Sequence, residues 1–138
     1  MISRIERGES SPTASLLGKL SGALEVTMSQ LLAPASSTWT DPGTGYRRRA
    51  VTTADDFGFD VTEVVLPPGT AQTFPASAYS FNRHLIWVAD GELAFTEGEL
   101  RHVLGSGDSL RLGLPAECTF ANETSSPCRY LVMVAPSP

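Results

Sequence analysis

Residues 84–93, HLIWVADGEL, read as a strand, a two-residue turn and the start of a second strand. Successive side chains in a strand point to opposite faces. With His84 turned inward, Ile86 and Val88 follow it, while Leu85, Trp87 and Ala89 face out. Asp90-Gly91 is a tight hairpin signal. The same rhythm runs through the second two thirds of the chain. Residues 47–53, 59–66, 84–90, 92–96, 100–104, 109–114, 118–122 and 129–135 are short runs with β-branched and aromatic residues. Pro67-Pro68-Gly69, Gly105-Ser106-Gly107-Asp108 and Ser125-Ser126-Pro127 punctuate them. Strands at this spacing predict an antiparallel sandwich or barrel, a mainly β fold.

The first part of the chain has a different period. Ser11-Pro12 offers an N-cap followed by proline at the first helical position. Leu16, Leu17, Leu20, Ala23 and Leu24 then form a one-sided apolar stripe. A second short helix is predicted from Thr27, with Thr27 and Gln30 as a capping box and Leu31 and Leu32 as its buried face. Two helices this short cannot bury their stripes on each other alone. Residues 34–45, within APASSTWTDPGTG, read as a linker in which Trp39 anchors onto a neighbouring domain.

The 138 residues suit one ordinary domain or a small domain with an appendage. A hydrophobic fraction of 41% and a charged fraction of 18% are those of a chain able to build a core. No apolar run approaches the ~20 residues that span a bilayer. Arg4, Glu6, Arg7 and Glu9 interrupt any export-signal pattern, so the expected location is cytoplasmic, with no membrane partner. In that compartment Cys118 and Cys128 are expected as free thiols. The net charge of −5 opposes nucleic-acid binding by the chain as a whole, because phosphate contacts need a basic footprint. Arg47-Arg48-Arg49 and the pair Arg4 and Arg7 locally oppose that average.

The opening stretch, MISRIERGESSPTASLLGKLSGALEVTMSQLL, resembles the back half of a helix-turn-helix domain of the phage-repressor-like class. Ile2 to Gly8 corresponds to the end of the recognition helix, so Ser3, Arg4 and Arg7 are the expected DNA-facing residues. The scanning helix that precedes it in the class has no counterpart in the sequence given. The resemblance therefore implies an N-terminally truncated domain over residues 1–33, with DNA binding confined to a longer form.

Residues 46–138 resemble a cupin, a small jelly-roll barrel. Pro68-Gly69 opens its first motif, HLIWVADGEL follows with Gly91 closing the hairpin, and GSGDSLRLGLP and CTFANE make up the second. The order of helices, linker and barrel, with TGYRRR after the linker, is similar to bacterial cupin-containing transcriptional regulators. In that family two histidines, a glutamate and a further histidine hold a metal. Counting from Gly91, the glutamate position holds His84, and the first two histidine positions hold Ser77 and Tyr79, or Ala78 and Ser80 at shorter spacing. The last histidine position holds Cys118, four before Asn122. His84 and Cys118 alone fall short of the three or four ligands a zinc site needs, so neither metal nor other cofactor is expected.

The resemblance implies a regulator whose barrel senses a small molecule, with His84, Ile86, Tyr79, Cys118, Phe120 and Asn122 as the expected pocket and no catalytic residues. The alternative is a cupin enzyme, an isomerase or a metal-dependent oxygenase. An outward Trp87, together with Leu16 and Leu20 of the uncovered stripe, is the expected contact of a homodimer. Arg47 to Arg49 read as an exposed sheet edge, with one of the three able to turn inward onto a ligand carboxylate. His102, Asp55-Asp56 and Glu97 to Glu99 carry no constellation that points to chemistry.

Overall fold

The computed structural model describes residues 13–24, 38–52 and 57–136. Ser3, Arg4, Arg7, the Ser11-Pro12 cap and the helix predicted from Thr27 lie outside the described residues. Helix α1 spans Ala14–Leu24. Among the described residues ten strands follow: β1 (Thr38–Thr40), β2 (Arg47–Thr52), β3 (Asp60–Leu66), β4 (Ala71–Phe74), β5 (Asn82–Asp90), β6 (Leu93–Glu97), β7 (Leu100–Leu104), β8 (Ser109–Arg111), β9 (Cys118–Ala121) and β10 (Cys128–Pro136). A 3-10 turn, Ala76–Tyr79, sits between β4 and β5.

The strands form two antiparallel sheets, one ordered β1-β2-β3-β10-β5-β8 and the other β4-β9-β6-β7. Alternation decides which faces meet. In β3 Asp60, Thr62, Val64 and Leu66 are buried and the residues between them are half-buried. In β5 Ile86 and Val88 are fully buried while Trp87 is 37% exposed. Aromatic rings bridge the sheets: Phe95 and Phe120 from the smaller sheet lie 4.8 Å apart, and Phe120 stacks on Tyr130 of β10 at 5.6 Å and 4°. Gly91 turns the β5–β6 hairpin at φ +87°, a conformation that side chains with a Cβ resist. Cys118 and Cys128 are buried free thiols. Among the described residues no helix is long and apolar enough to cross a membrane.

Two strands went unread in the sequence. Residues 38–40, inside the stretch read as a linker, pair with β2 as the outermost strand, and Trp39 meets Tyr46 edge-on at 6.3 Å. That strand covers β2, so Arg47 to Arg49 are not on the sheet edge. β4 escaped notice because one of its two inward positions is polar, Gln72.

Helix α1 also differs from its expectation. Thr13 caps it, accepting the Leu16 N–H on Oγ1 at 3.2 Å. The buried face is Ala14, Leu17, Gly18 and Ser21; Leu16 and Leu20 are half-buried and Leu24 is exposed. Small residues face inward because α1 lies close against β4 and the 3-10 turn. A Cβ on Gly18 would stand 2.6 Å from the Phe74 ring, and one on Gly22 would stand 2.8 Å from the Ser77 backbone. The barrel itself therefore covers part of the helix.

Asp41 joins these parts. It is 4% exposed, and Oδ2 accepts the Ala14 N–H at 3.3 Å and Gln72 Nε2 at 3.1 Å, while Oδ1 accepts the Gly43 N–H at 2.9 Å. The first turn of α1 has no acidic residue of its own, so Asp41 supplies the negative charge that its N-terminus favours. Asp41→Ala leaves three donors without this acceptor. It is expected to lower unfolding free energy by about 2–4 kcal/mol in urea titration. Glu99→Ala, at an exposed turn, should stay within about 0.5 kcal/mol.

Candidate functional site

A cavity of about 60 Å³ lies between the sheets. Its apolar wall is aromatic and β-branched: Tyr46, Phe74, Phe120, Tyr130, Val64 and Val132. The polar groups reaching it are Arg48, Asp60, Asn82, His84 and, from α1, Ser21. Strand register orders these in depth. Val64 lies opposite Tyr130 and Tyr130 opposite Val88, one level; Asp60, Val134 and His84 form another, nearer Asn82. A wider vestibule of about 510 Å³ shares Tyr79, Asn82 and His84 with the cavity and continues past Arg83, Arg111, Leu112 and Leu114. Tyr79 and His84 thus stand at the neck, their rings 4.8 Å apart and edge-on.

Tyr79, His84 and Cys118 come together where the counted motif positions place them. The Tyr79 hydroxyl hydrogen-bonds the Cys118 sulfur, and the Cys118 thiol donates to the Ala116 carbonyl at 3.4 Å. Burial pushes the Cys118 thiol up to about 12 and Tyr79 well above the ordinary phenol value. Both are therefore neutral at pH 7. Phe120 lines the cavity, and Ile86 and Asn122 do not. Ile86 is fully buried in the core. Asn122 uses its whole amide to hold a turn: Nδ2 donates to Leu66 O at 3.0 Å and Ser126 O at 2.7 Å, and Oδ1 accepts the Thr124 N–H and hydroxyl. A buried asparagine with its amide so spent has little left for a ligand.

Arg48 is the inward arginine of the three; Arg47 and Arg49 are exposed. Its Nη2 donates to Thr62 Oγ1 at 3.3 Å, and it hydrogen-bonds Tyr46. Ser21, Tyr46, Asp60 and Asn82 were not read as site residues. For Tyr46 and Asp60 the signal was available: each opens or directly precedes a strand on its inward face. For Ser21 there was none, because its role depends on how α1 docks. Among the described residues, no three His, Cys, Asp or Glu side chains cluster at metal-binding distance. His102 lies outside the site, stacked on Phe95 at 6.2 Å.

Burial lowers His84 from 6.5 to about 4, with a ring N–H hydrogen bond to the Asn82 backbone carbonyl opposing the shift and Arg48 adding to it. An imidazole depressed in the folded state binds its proton more readily when unfolded. This group therefore costs nothing above pH 6.5 and destabilises the fold progressively as pH falls toward about 4. The loss across that window should be roughly 3 kcal/mol, at ~1.4 kcal/mol per unit. In His84→Gln, denaturant unfolding between pH 7 and 4 should show that much less acid sensitivity.

Residues 1–31 match the helix-turn-helix family model. The whole chain superposes on a helix-turn-helix-family transcriptional regulator from Vibrio cholerae, covering 100% of this chain and 80% of that one, with TM-score 0.79 and 26% identity. The cupin domain of an XRE-family transcriptional regulator from Enterobacter cloacae matches over 66% of this chain and 96% of its own, with TM-score 0.60 and 15% identity. A cupin barrel protein from Salinispora arenicola matches over 77% and 86%, with TM-score 0.59 and 14% identity. No curated protein sequence matches the chain significantly. The chain joins a helix-turn-helix segment to a cupin barrel and has the build of a helix-turn-helix transcriptional regulator with a C-terminal cupin domain.

Proposed function

We propose that this regulator senses a small molecule in its barrel and transmits occupancy to DNA through α1. One observation carries the reading: Ser21, on a helix inside the matched helix-turn-helix residues, is part of the cavity wall. A ligand that fits only when α1 is docked favours the docked state by its difference in affinity for the two states. The donor set supports sensing over catalysis. His84 and Cys118 are joined by Tyr79 rather than by a third strong ligand, and oxygenase chemistry needs a facial set with open positions. Such a regulator works on the chromosome, in the cytoplasm. The test fills the cavity from the helix side. Transcript profiles of the native host without the gene, with wild type and with a folded Ser21→Leu variant should differ in one common small set of genes. Identical profiles in all three would contradict the reading.

A two-fold partner suits a half-site reader, and the outer face of the larger sheet is where it would sit. Trp87 lies opposite Leu131, and Met133 lies between Leu85 and Val61, all on the side away from the cavity. A second copy covering this face buries an apolar strip flanked by Arg49, Glu63 and Arg129, charges of both signs that a two-fold axis can pair. Leu16 and Leu20, half-buried on α1, play a lesser part. Light scattering at micromolar concentration should report a dimer, weakened at least tenfold by Trp87→Glu. A monomer for the wild type would contradict this assembly.

A further inference from the structure

We propose that the effector is a small uncharged aliphatic molecule, held whole in the inner cavity, whose head group both donates and accepts hydrogen bonds. The inference rests on the effector-binding reading above and gives it a ligand class.

The balance of charge in the wall decides that the ligand is neutral. Among the described residues the inner cavity is lined by one cation, Arg48, and one carboxylate, Asp60. Burial holds His84 neutral at pH 7 and keeps the phenols of Tyr46, Tyr79 and Tyr130 protonated. The two opposite charges offset each other, and Asp60 is 1% exposed. A ligand of either net charge would leave water for an enclosed space that holds no surplus counter-charge, which is costly. An uncharged polar ligand avoids that cost.

Strand register separates a polar end of the cavity from an apolar one. Arg48 lies opposite Val64 and Val64 opposite Tyr130, whereas Asp60, Val134 and His84 align at the other end of β3. The Arg48 side chain crosses part of that interval: its Nη2 reaches Thr62 Oγ1, two residues short of Asp60 on the same face. The guanidinium, the Asp60 carboxylate and the His84 ring therefore serve one end. On the Tyr130 side, Phe120 stacks on Tyr130 and meets Phe74 edge-on at 5.8 Å, which closes the other end with rings.

The polar end offers both senses of hydrogen bond. Arg48 only donates and a carboxylate only accepts. The neutral His84 ring gives its N–H to the Asn82 carbonyl, so its second nitrogen is an acceptor. Arg48 bonds Thr62 and Tyr46, yet a guanidinium carries several N–H donors and a carboxylate several acceptor positions, so each can serve the wall and a ligand together. A head group that only accepts meets Asp60 and His84 lone pair against lone pair. One that only donates meets the Arg48 N–H groups in the same unfavourable way. A hydroxyl or a primary amide answers both.

Volume limits the tail. An apolar cavity of ~150 Å³ accepts benzene. At about 60 Å³ the inner cavity admits a chain of a few carbons and excludes a ring.

NMR chemical-shift titration of the full chain at pH 7.5 with propionamide, 1-propanol, butanone, propionate and propylamine tests this. The amide and the alcohol should bind at least tenfold more tightly than either ion and at least threefold more tightly than butanone, which cannot donate. Their shifts should centre on Ser21, His84 and Val132. Benzamide, the same head on a ring, should not bind. Asp60→Asn leaves one positive charge in surplus and should raise propionate above propionamide; Arg48→Gln should do the same for propylamine. Either variant that folds serves, and the wild-type series decides alone where neither does. Val132→Phe, and independently Ala78→Leu, should abolish binding of the amide and the alcohol in proteins whose thermal unfolding remains cooperative. An ion that binds wild type as tightly as the amide, a charge preference unmoved in a folded charge variant, butanone equal to the alcohol, binding of benzamide, or binding that survives cavity filling would each overturn the assignment. Failure of every probe to bind overturns it as well; the Ser21→Leu transcript comparison, which uses none of them, then decides the sensing reading separately.

Discussion

The buried carboxylate of Asp41 is the point on which the arrangement depends. A carboxylate in the interior is tolerated only when its lone pairs are occupied by donors. Here the donors come from three parts of the chain that are distant in sequence: the first turn of α1, the β1–β2 turn and strand β4. Gln72 donates through the same nitrogen to Thr44 Oγ1 at 2.6 Å, and the Asp41 backbone closes the turn with Tyr46 and Gly45. Satisfying one acidic group thus fixes the entry of the helix, the shape of the hairpin that presents Tyr46 and Arg48, and the strand that carries Phe74.

The cavity is a consequence of this junction. Tyr46 follows the turn that Asp41 closes, Phe74 lies two residues beyond Gln72 and packs under Gly18, and Ser21 is one helical turn further along α1. Its wall is therefore shared by the barrel and by the helix-turn-helix segment. In the proposed function that sharing is the feature through which a change of occupancy would act on the helix directly. The fold itself is common to proteins of many activities, so the proposed function rests on the shared wall.

How much was legible in the sequence follows from physical reach. Eight of the ten strands were readable because inward apolar residues alternate with outward polar ones over five or more residues, or because a turn marks their ends. β1 and β4 are too short to carry a period, and β4 replaces one apolar inward position by Gln72. The neck of the site was legible: Tyr79, His84 and Cys118 follow from counting along two motifs. Asn122 misled because the same count cannot tell a side chain that meets a ligand from one that caps a turn. Arg48 was one of three neighbouring arginines, and only strand parity relative to β3 selects it. The leucines of α1 suggested one buried face, whereas close approach to Phe74 and Ser77 selected the small residues beside it. No local signal contains that information.

The central claim is that α1 and the barrel form one cooperative unit around Asp41. Native-state hydrogen exchange in low denaturant tests it most directly, since it resolves separate openings within one molecule. The account predicts that the amides of residues 18–24 exchange with the same opening free energy and denaturant dependence as those of β3 and β10. Exchange of the helix through a separate, low-energy opening while the strands remain protected would contradict it.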